Sequence, residues 1–269
     1  MGGKIGAELF YFWSGNEELV LDNMKRMKDA GFECVFFPLL TDQPAQMERY
    51  LTAAADLDLA IDELHEMPTD INRMWYDDET GDAPFRLAME SVDFCADHGV
   101  TTMVMHESSG RAAPDMSNAG LSRFRAVFEH ANERGVKVAV ENLRRTNFLA
   151  RLFFENRDIP MYMCWDSGHE ACYTPGVDHV ALFPEKVICT HLHDNRGKYT
   201  YDDHLLPFDG VNDWEKKARL LKEAGYKGNY CGELKRTADL YKDMTDKEFC
   251  ALAYERLKKF KDMCEGGSK

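Results

Sequence analysis

The chain has 269 residues, with 47 Asp and Glu against 33 Lys and Arg, a formal net charge of −14 and 44% hydrophobic residues. That balance argues against a duplex-binding surface, because phosphate backbones are bound by Lys and Arg in excess. No apolar run reaches the roughly twenty residues that span a bilayer. The start, MGGKIGAELF, lacks the basic and long apolar regions of a secretory signal, so a cytoplasmic protein is expected. The eight cysteines show no CxxC spacing, and Cys34, Cys164, Cys189 and Cys231 lie inside apolar runs, as buried reduced thiols would. MGG and the final GGSK are set aside from the fold.

Lys4 to Phe10 reads as the first strand. Ser14 with Glu17 resembles a capping box, and Leu19, Val20, Met24 and Met27 recur at helical spacing until Gly31. Cys34 to Leu40 is a second strand, Pro44 to Ala55 a helix, and Leu59 to Leu64 a third strand ending at His65. After a loop with Trp75 and Tyr76 come a helix from Pro84 to His98, the strand Thr101 to Met105 and His106. Leu121 to Arg134 is a helix, and Val136 to Val140 a strand ending at Glu141 and Asn142. A helix near Leu149 to Asn156 precedes the strand Met161 to Trp165, which ends at Asp166, and Val187 to Thr190 ends at His191. Trp214 to Ala224 is a helix and Tyr230 to Gly232 a strand ending at Glu233; a last helix starts at Asp246, capped by Thr245 and Glu248.

Eight alternating strand–helix units, with no composition break, imply right-handed crossovers and a parallel sheet. Eight units point to one closed (β/α)8 barrel, a TIM barrel, over residues 1–269. An open doubly wound sheet is the alternative, but SGNEE after the first strand does not match GxGxxG.

Charged groups at the carboxyl ends of successive barrel strands converge, and there they can hold a metal. Any single Asp or His at a strand end is commonly a solvated cap. Here His106, Glu141, Asp166, His191 and Glu233 follow apolar runs, His65 adds a sixth from the third strand, and together they need a counter-charge. Glu141, Asp166, His191 and Glu233 form the core set. Three carboxylates and one imidazole suit a divalent ion such as Mn, Mg, Co or Zn. The residues two before them, Ala139, Cys164, Cys189 and Cys231, share their strand face and are small and apolar, as an interior layer beneath a site should be. His193 alternates with His191 and is either a supporting group or part of the loop. Arg196 is a substrate-oxygen contact or a surface charge. His98 and His130 suit helix carboxyl ends, and His179 carries no clear signal. Phe10, Phe12, Trp13, Trp75 and Tyr76 could line an apolar wall over a sugar or simply pack locally.

VAVEN, CWDSGH, CTHLHDN, DDHLLPFDG and CGEL, in that order, resemble the xylose isomerase-like barrel superfamily of sugar isomerases and epimerases and family-2 apurinic endonucleases. The resemblance covers about the whole chain. It implies a divalent metal on Glu141, Asp166, His191 and Glu233, with Glu141 and Glu233 as an acid–base pair. It further implies that His169, in the D-x-G-H pattern, binds substrate, with Arg196, His106 and His65 as further substrate contacts. The arginine spacing after His191 departs from the epimerase pattern, and Asp202-x-His204 appears instead. That departure feeds an alternative, a multi-zinc phosphodiesterase with ligands on His65, His106 and Glu141, on Asp166, His191 and Glu233, and on His169, Asp202 and His204. Sugar-derivative lyases and dehydratases share much of the same site. The expected enzyme is therefore a metal-dependent sugar isomerase or epimerase with a small carbohydrate substrate and neither a nucleic-acid nor a membrane partner. Its exposed helix faces are compatible with a monomer or a homo-oligomer.

Overall fold

The computed structural model describes residues 2–236 and 239–266. Eight strands run parallel: β1 Ile5–Glu8, β2 Cys34–Leu39, β3 Ala60–Glu66, β4 Thr102–Met105, β5 Lys137–Glu141, β6 Tyr162–Asp166, β7 Val187–His191 and β8 Tyr230–Gly232. Each pairs with its neighbours in chain order, β8 returns to β1, and a parallel bridge between Leu192 and Gly232 closes the ring. The helices α1 Glu17–Ala30, α2 Pro44–Asp56, α3 Asp82–Asp97, α4 Asn118–Arg134, α5 Thr146–Glu155, α6 Ser167–Cys172, α7 His179–Leu182, α8 Trp214–Glu223 and α9 Asp246–Glu265 follow their strands. Their apolar stripes face the sheet: Val20, Met24 and Met27 from α1, Phe124, Val127 and Phe128 from α4, and Phe249, Leu257 and Phe260 from α9 are all buried. Each such side chain contributes about 1.5–3 kcal/mol by leaving water. Among the described residues no helix is long and apolar enough to cross a membrane.

The expected strands form within two residues of their anticipated ends, and the long helices within three, the helices at Asn118 and Thr146 each starting three residues early. The capping box of Thr245 and Glu248 is present. At α1 the cap differs: Asn16, not Ser14, accepts from Leu19 N at 3.1 Å, because the helix begins at Glu17 and Ser14 closes a preceding 3-10 turn. The short α6 and α7 were not anticipated, since six and four residues are too few to show a helical period. A buried knot secures them. Glu170 on α6 accepts from Trp165 Nε1 and His179 N and pairs with Lys217 on α8. Burial would raise the Glu170 pKa, but Lys217 and His179 hold it at about 2. His98 and His130 have the ordinary roles expected, on the Phe94 carbonyl and on Asp93.

Inside the barrel, Val104, Ala139, Cys164 and Cys189 pack as one small apolar layer, and Cys34, Phe36 and Cys231 as another. All eight cysteines are buried and free, the pair Cys34 and Cys231 lying 3.7 Å apart. Gly6 on β1 pairs with both, and a Cβ there would strike both sulfurs. The β3 strand carries one extra residue opposite Val35 to Phe37. This bulge turns the consecutive residues Asp62 and Glu63 both inward, Asp62 to the Cys231 thiol and Glu63 to His191.

Candidate metal centre

Glu141, the last residue of β5 and 1% exposed, is the hub of the barrel mouth. Its Oε2 accepts from His65 Nε2 at 3.1 Å and from His106 Nε2 at 2.8 Å. Its Oε1 lies 3.2 Å from His191 Nδ1 and 3.3 Å from His169 Nδ1. Burial alone would raise the Glu141 pKa, but the surrounding histidines hold it well below the carboxylate range. For His65 the opposite contest, burial against the Glu141 bond and charge, ends with the pKa raised to about 9. At His106 burial wins and the pKa falls.

A second carboxylate, Asp202, gathers another group. His169 Nε2 bonds its Oδ2 at 3.1 Å, and His204 Nε2 lies the same distance from that oxygen. Burial opposes its ionisation, yet His169, His204 and His193 keep its pKa far below normal. His193 donates to Asp166 Oδ2 at 2.9 Å and stacks on His204 with ring centres 4.3 Å apart. Local structure explains these positions. Asp166 caps α6, accepting from His169 N at 2.6 Å, so the helix's first turn swings His169 back over the mouth. Gly168 between them is required, since a Cβ there would enter the His193 ring. An antiparallel bridge between Asp194 and Leu205 folds the loop after β7 back, returning Asp202 and His204 to the centre.

Of the four expected ligands, Glu141 and Glu233 meet at His191, whereas Asp166 is grouped with His169 and His193 and reaches Glu141 only through His169. His191 Nδ1 sits 3.2 Å from Glu141 Oε1 and 3.2 Å from Glu233 Oε2, and His169 links Glu141 to Asp166. His65, His106, His169 and Asp202 face the same space, and His193 and His204 stand behind Asp202. Arg196 does not face that space. It pairs with Asp203 at 3.5 Å and lines a separate groove with Glu170 and Lys216. Of the aromatics, Trp13 lines the cleft; Phe10, Phe12 and Trp75 are core, and Tyr76 is exposed away from it.

Several contributors were not singled out from the sequence. Glu63, 1% exposed, bonds His191 Nε2 at 2.6 Å. A carboxylate on that nitrogen fixes the ring and leaves Nδ1 facing the mouth, as in carboxylate–histidine–metal triads. The two-residue spacing could have found it, because Glu63 precedes His65 by two. Asn142 clamps β5 to β6 through Asp166 N at 2.7 Å and Asp166 O at 2.9 Å. Glu8 ends β1 beside Glu233, and burial plus that neighbour raise its pKa to about 7. Arg144 lines the cleft just after β5.

The donor chemistry fits a divalent ion. Three groups, His65–Glu141–His191, Asp166–His169–His193 and His193–Asp202–His204, each bring ligand atoms within 4.8 Å of one another. Carboxylate and imidazole together suit Mn, Mg, Co or Zn. Around them is a cavity of about 270 Å³, whose apolar side is Trp13, Phe36, Pro38, Met67 and Pro68. That is just below the usual range of ligand pockets, which starts at about 300 Å³.

The model of the xylose isomerase-like TIM barrel family matches residues 24–248. The chain belongs to that family. An uncharacterized protein, y4fM of Sinorhizobium fredii, is 32% identical over 155 residues, 52% of this chain and 49% of that one, so the match spans about half of the relative's length. Among solved structures, D-psicose 3-epimerase with D-tagatose from Clostridium cellulolyticum H10 has a TM-score of 0.76 at 12% identity, covering 97% of this chain and 99% of that one. A xylose isomerase-like TIM barrel protein from Mycobacterium smegmatis in complex with magnesium has a TM-score of 0.69 at 16% identity, covering 98% and 97%. At such identities these two likenesses speak for the fold.

Proposed function

We propose that this chain is a divalent-metal-dependent isomerase or epimerase of a small sugar derivative, acting by proton transfer at a carbon beside a carbonyl. The observation that carries the reading is the placement of Glu141 and Glu233, each 3.2 Å from His191 Nδ1, in a cleft of monosaccharide size. Glu141, Asp166, His191 and Glu233 would hold the ion, which supplies the positive charge that polarises a carbonyl and an adjacent hydroxyl. The chain's own groups do the rest. Glu233 is 20% exposed against 1% for Glu141, so it is the carboxylate more open to a substrate carbon. Burial would raise the Glu233 pKa, but His204 and His191 keep it well below normal and hence ionised, as a proton acceptor must be. Glu141 is the second acid–base group, and His169, His106 and His65 are donors for substrate oxygens. Trp13, Phe36 and Pro38 exclude water from one side. The sugar epimerase among the similar structures and the magnesium complex support this reading without deciding it.

The test is deuterium uptake from heavy water into a panel of ketoses by metal-loaded protein, followed by NMR. Exchange at one carbon-bound position, absent in Glu233→Gln with unchanged circular dichroism, is expected. Full exchange in that variant would remove Glu233 from the pair, and release of a dehydrated product would move the enzyme to the lyases.

A second reading is favoured by one specific feature, the gathering of His169 and His204 on Asp202. If His65, His106, Asp202 and His204 are ligands too, the mouth would suit a multi-zinc phosphodiesterase. Elemental analysis separates the two: about one equivalent of metal per chain for the isomerase, close to three of zinc for the phosphodiesterase, with cleavage of an abasic-site duplex as the activity arm.

A further inference from the structure

Among the described residues Arg144 is the only Lys or Arg lining the cleft, where Glu8, Glu141, Asp202 and Glu233 supply four carboxyl groups. An arginine in such company would ordinarily be paired. Among the described residues, however, no carboxylate lies within ion-pair distance of Arg144, and its buried Nε has no hydrogen-bond partner. The next residue behaves differently. Arg145 donates to the Ala113 carbonyl at 3.0 Å, approaches Asp115 and lies over Phe148.

What holds Arg144 is an aromatic face. Its guanidinium carbon sits 3.6 Å from the centre of the Tyr173 ring. That ring also stacks on His169, at 4.8 Å and 27°, and its hydroxyl lies 3.4 Å from Asp202. The cation is therefore one aromatic ring away from the ionic array. A guanidinium laid flat on an aromatic ring is held by its face, which leaves the N–H edge for a planar or tetrahedral oxyanion. Ser108, Ser109 and Gly110, after the neighbouring strand β4, add a polar stretch to the same cleft. A buried donor without a partner is destabilising, and an acceptor arriving with the substrate would satisfy it.

From this unpaired, ring-held arginine in an otherwise acidic cleft, we propose that the substrate carries an anionic group, a phosphate or a carboxylate, that docks on Arg144. The neutral end of the same molecule lies at the Glu141–Glu233 pair. This inference rests on the sugar reading for the remainder of the ligand, and it names the class: an anionic sugar derivative rather than a free sugar.

The experiment is calorimetric titration of metal-loaded wild type, Arg144→Gln, Arg144→Lys and Arg145→Gln. The probes are a ketohexose, its 6-phosphate and the corresponding keto-uronate. Wild type and Arg145→Gln should bind one of the two anionic probes at least about tenfold tighter than the neutral ketose, which corresponds to about 1.4 kcal/mol. Arg144→Gln should reduce that ratio to near one, and Arg144→Lys should restore part of it. The stronger of the two anionic probes identifies phosphate or carboxylate as the group. Phosphate bound only through the metal would keep its advantage in Arg144→Gln, and that result overturns the inference, as does a wild-type ratio near one. An Arg144-dependent preference without deuterium exchange on any probe would instead sink the isomerase reading and leave the anion subsite standing. No binding of any probe would remove both.

Discussion

Glu141 and Asp202 each collect histidines, yet they rest on different foundations. Glu141 ends β5, and its partners His65, His106 and His191 come from β3, just after β4 and from β7, with His65 and His191 paired in the sheet itself. Asp202 stands in the connection after β7, with Thr200 at φ 66° and His204 at φ 49°. Non-glycine residues in that left-handed region cost of order 1–3 kcal/mol each and persist only where surroundings fix them. Here the Asp194–Leu205 bridge and the Asn195 amide, which bonds both the Gly168 carbonyl and Asp202, do the fixing. The inner centre is positioned by the fold and the outer one by a loop leaning on it. The inner group should therefore survive loss of the outer one, and not the reverse.

The sharpest way to break that asymmetry is a pair of variants. Glu141→Gln should bring metal content to background. In the metal-free protein it should also destabilise by about 3–5 kcal/mol, since it strands buried imidazoles without their counter-charge. Asp202→Asn should spare the metal held at the inner group. Elemental analysis with thermal melts reads both, and an Asp202→Asn protein emptied of all metal would erase the distinction. Glu63→Gln tests the inner centre from below. By removing the carboxylate behind His191 Nε2 it should weaken metal binding about 10–100-fold while the strand ends stay in place. An unchanged affinity in a chelator titration would mean that Phe36, stacked on the His191 ring at 4.6 Å, orients it alone.

Much of the inner centre was legible in the residues. His106, Glu141 and His191 each follow a short apolar run, and a parallel strand buried on both faces must announce itself that way. The period of two also placed Ala139, Cys164 and Cys189 beneath the site, where they do form one layer. Glu63 was legible by the same period, two residues before His65, but Asp62 beside it was not, because a strand that bulges turns consecutive residues inward and no pattern of alternation reports a bulge. The outer centre was harder. Asp202 and His204 depend on α6 and on a one-pair antiparallel bridge, both too short to leave a period. Arg144 and Arg196 look alike as loop arginines in sequence. Only the Tyr173 ring and the Asp203 carboxylate tell them apart.

A smaller effect concerns a carboxyl group just outside the mouth. Glu66 is fully buried and neither side-chain oxygen has a partner, so burial raises its pKa from 4.5 to about 8. Below pH 4.5 the group is protonated in both folded and unfolded chains, and its contribution to stability is fully present. As pH rises from 4.5 towards 8 the unfolded chain ionises first, so that contribution is progressively lost. Glu66→Gln removes the titration. The variant's melting temperature, measured on metal-free protein, should gain on wild type steadily between pH 5 and 8, on the order of the window just given. A constant difference across that range would mean that Glu66 ionises normally in the folded chain.

The smallest expected effect belongs to Arg196. It is half exposed, its one carboxylate partner is Asp203 at 3.5 Å, and it faces a groove that shares none of the cleft's lining residues. Exposed pairs of this kind contribute about 0–1 kcal/mol. Arg196→Ala should therefore leave metal content unchanged and shift stability by no more than about 0.5 kcal/mol. Probe affinity should also stay within about twofold, because a side chain outside the cleft adds no contact to remove. Its backbone N–H, which bonds Asp203 Oδ2 at 3.0 Å, survives the substitution, so the loop that carries Asp202 keeps that anchor. A large loss of anionic-probe binding in Arg196→Ala, with Arg144→Gln silent, would mean that the loop after β7 swings Arg196 into the cleft when ligand arrives. The rigid inner centre would then be served by a mobile arginine, and the outer loop would carry specificity as well as charge.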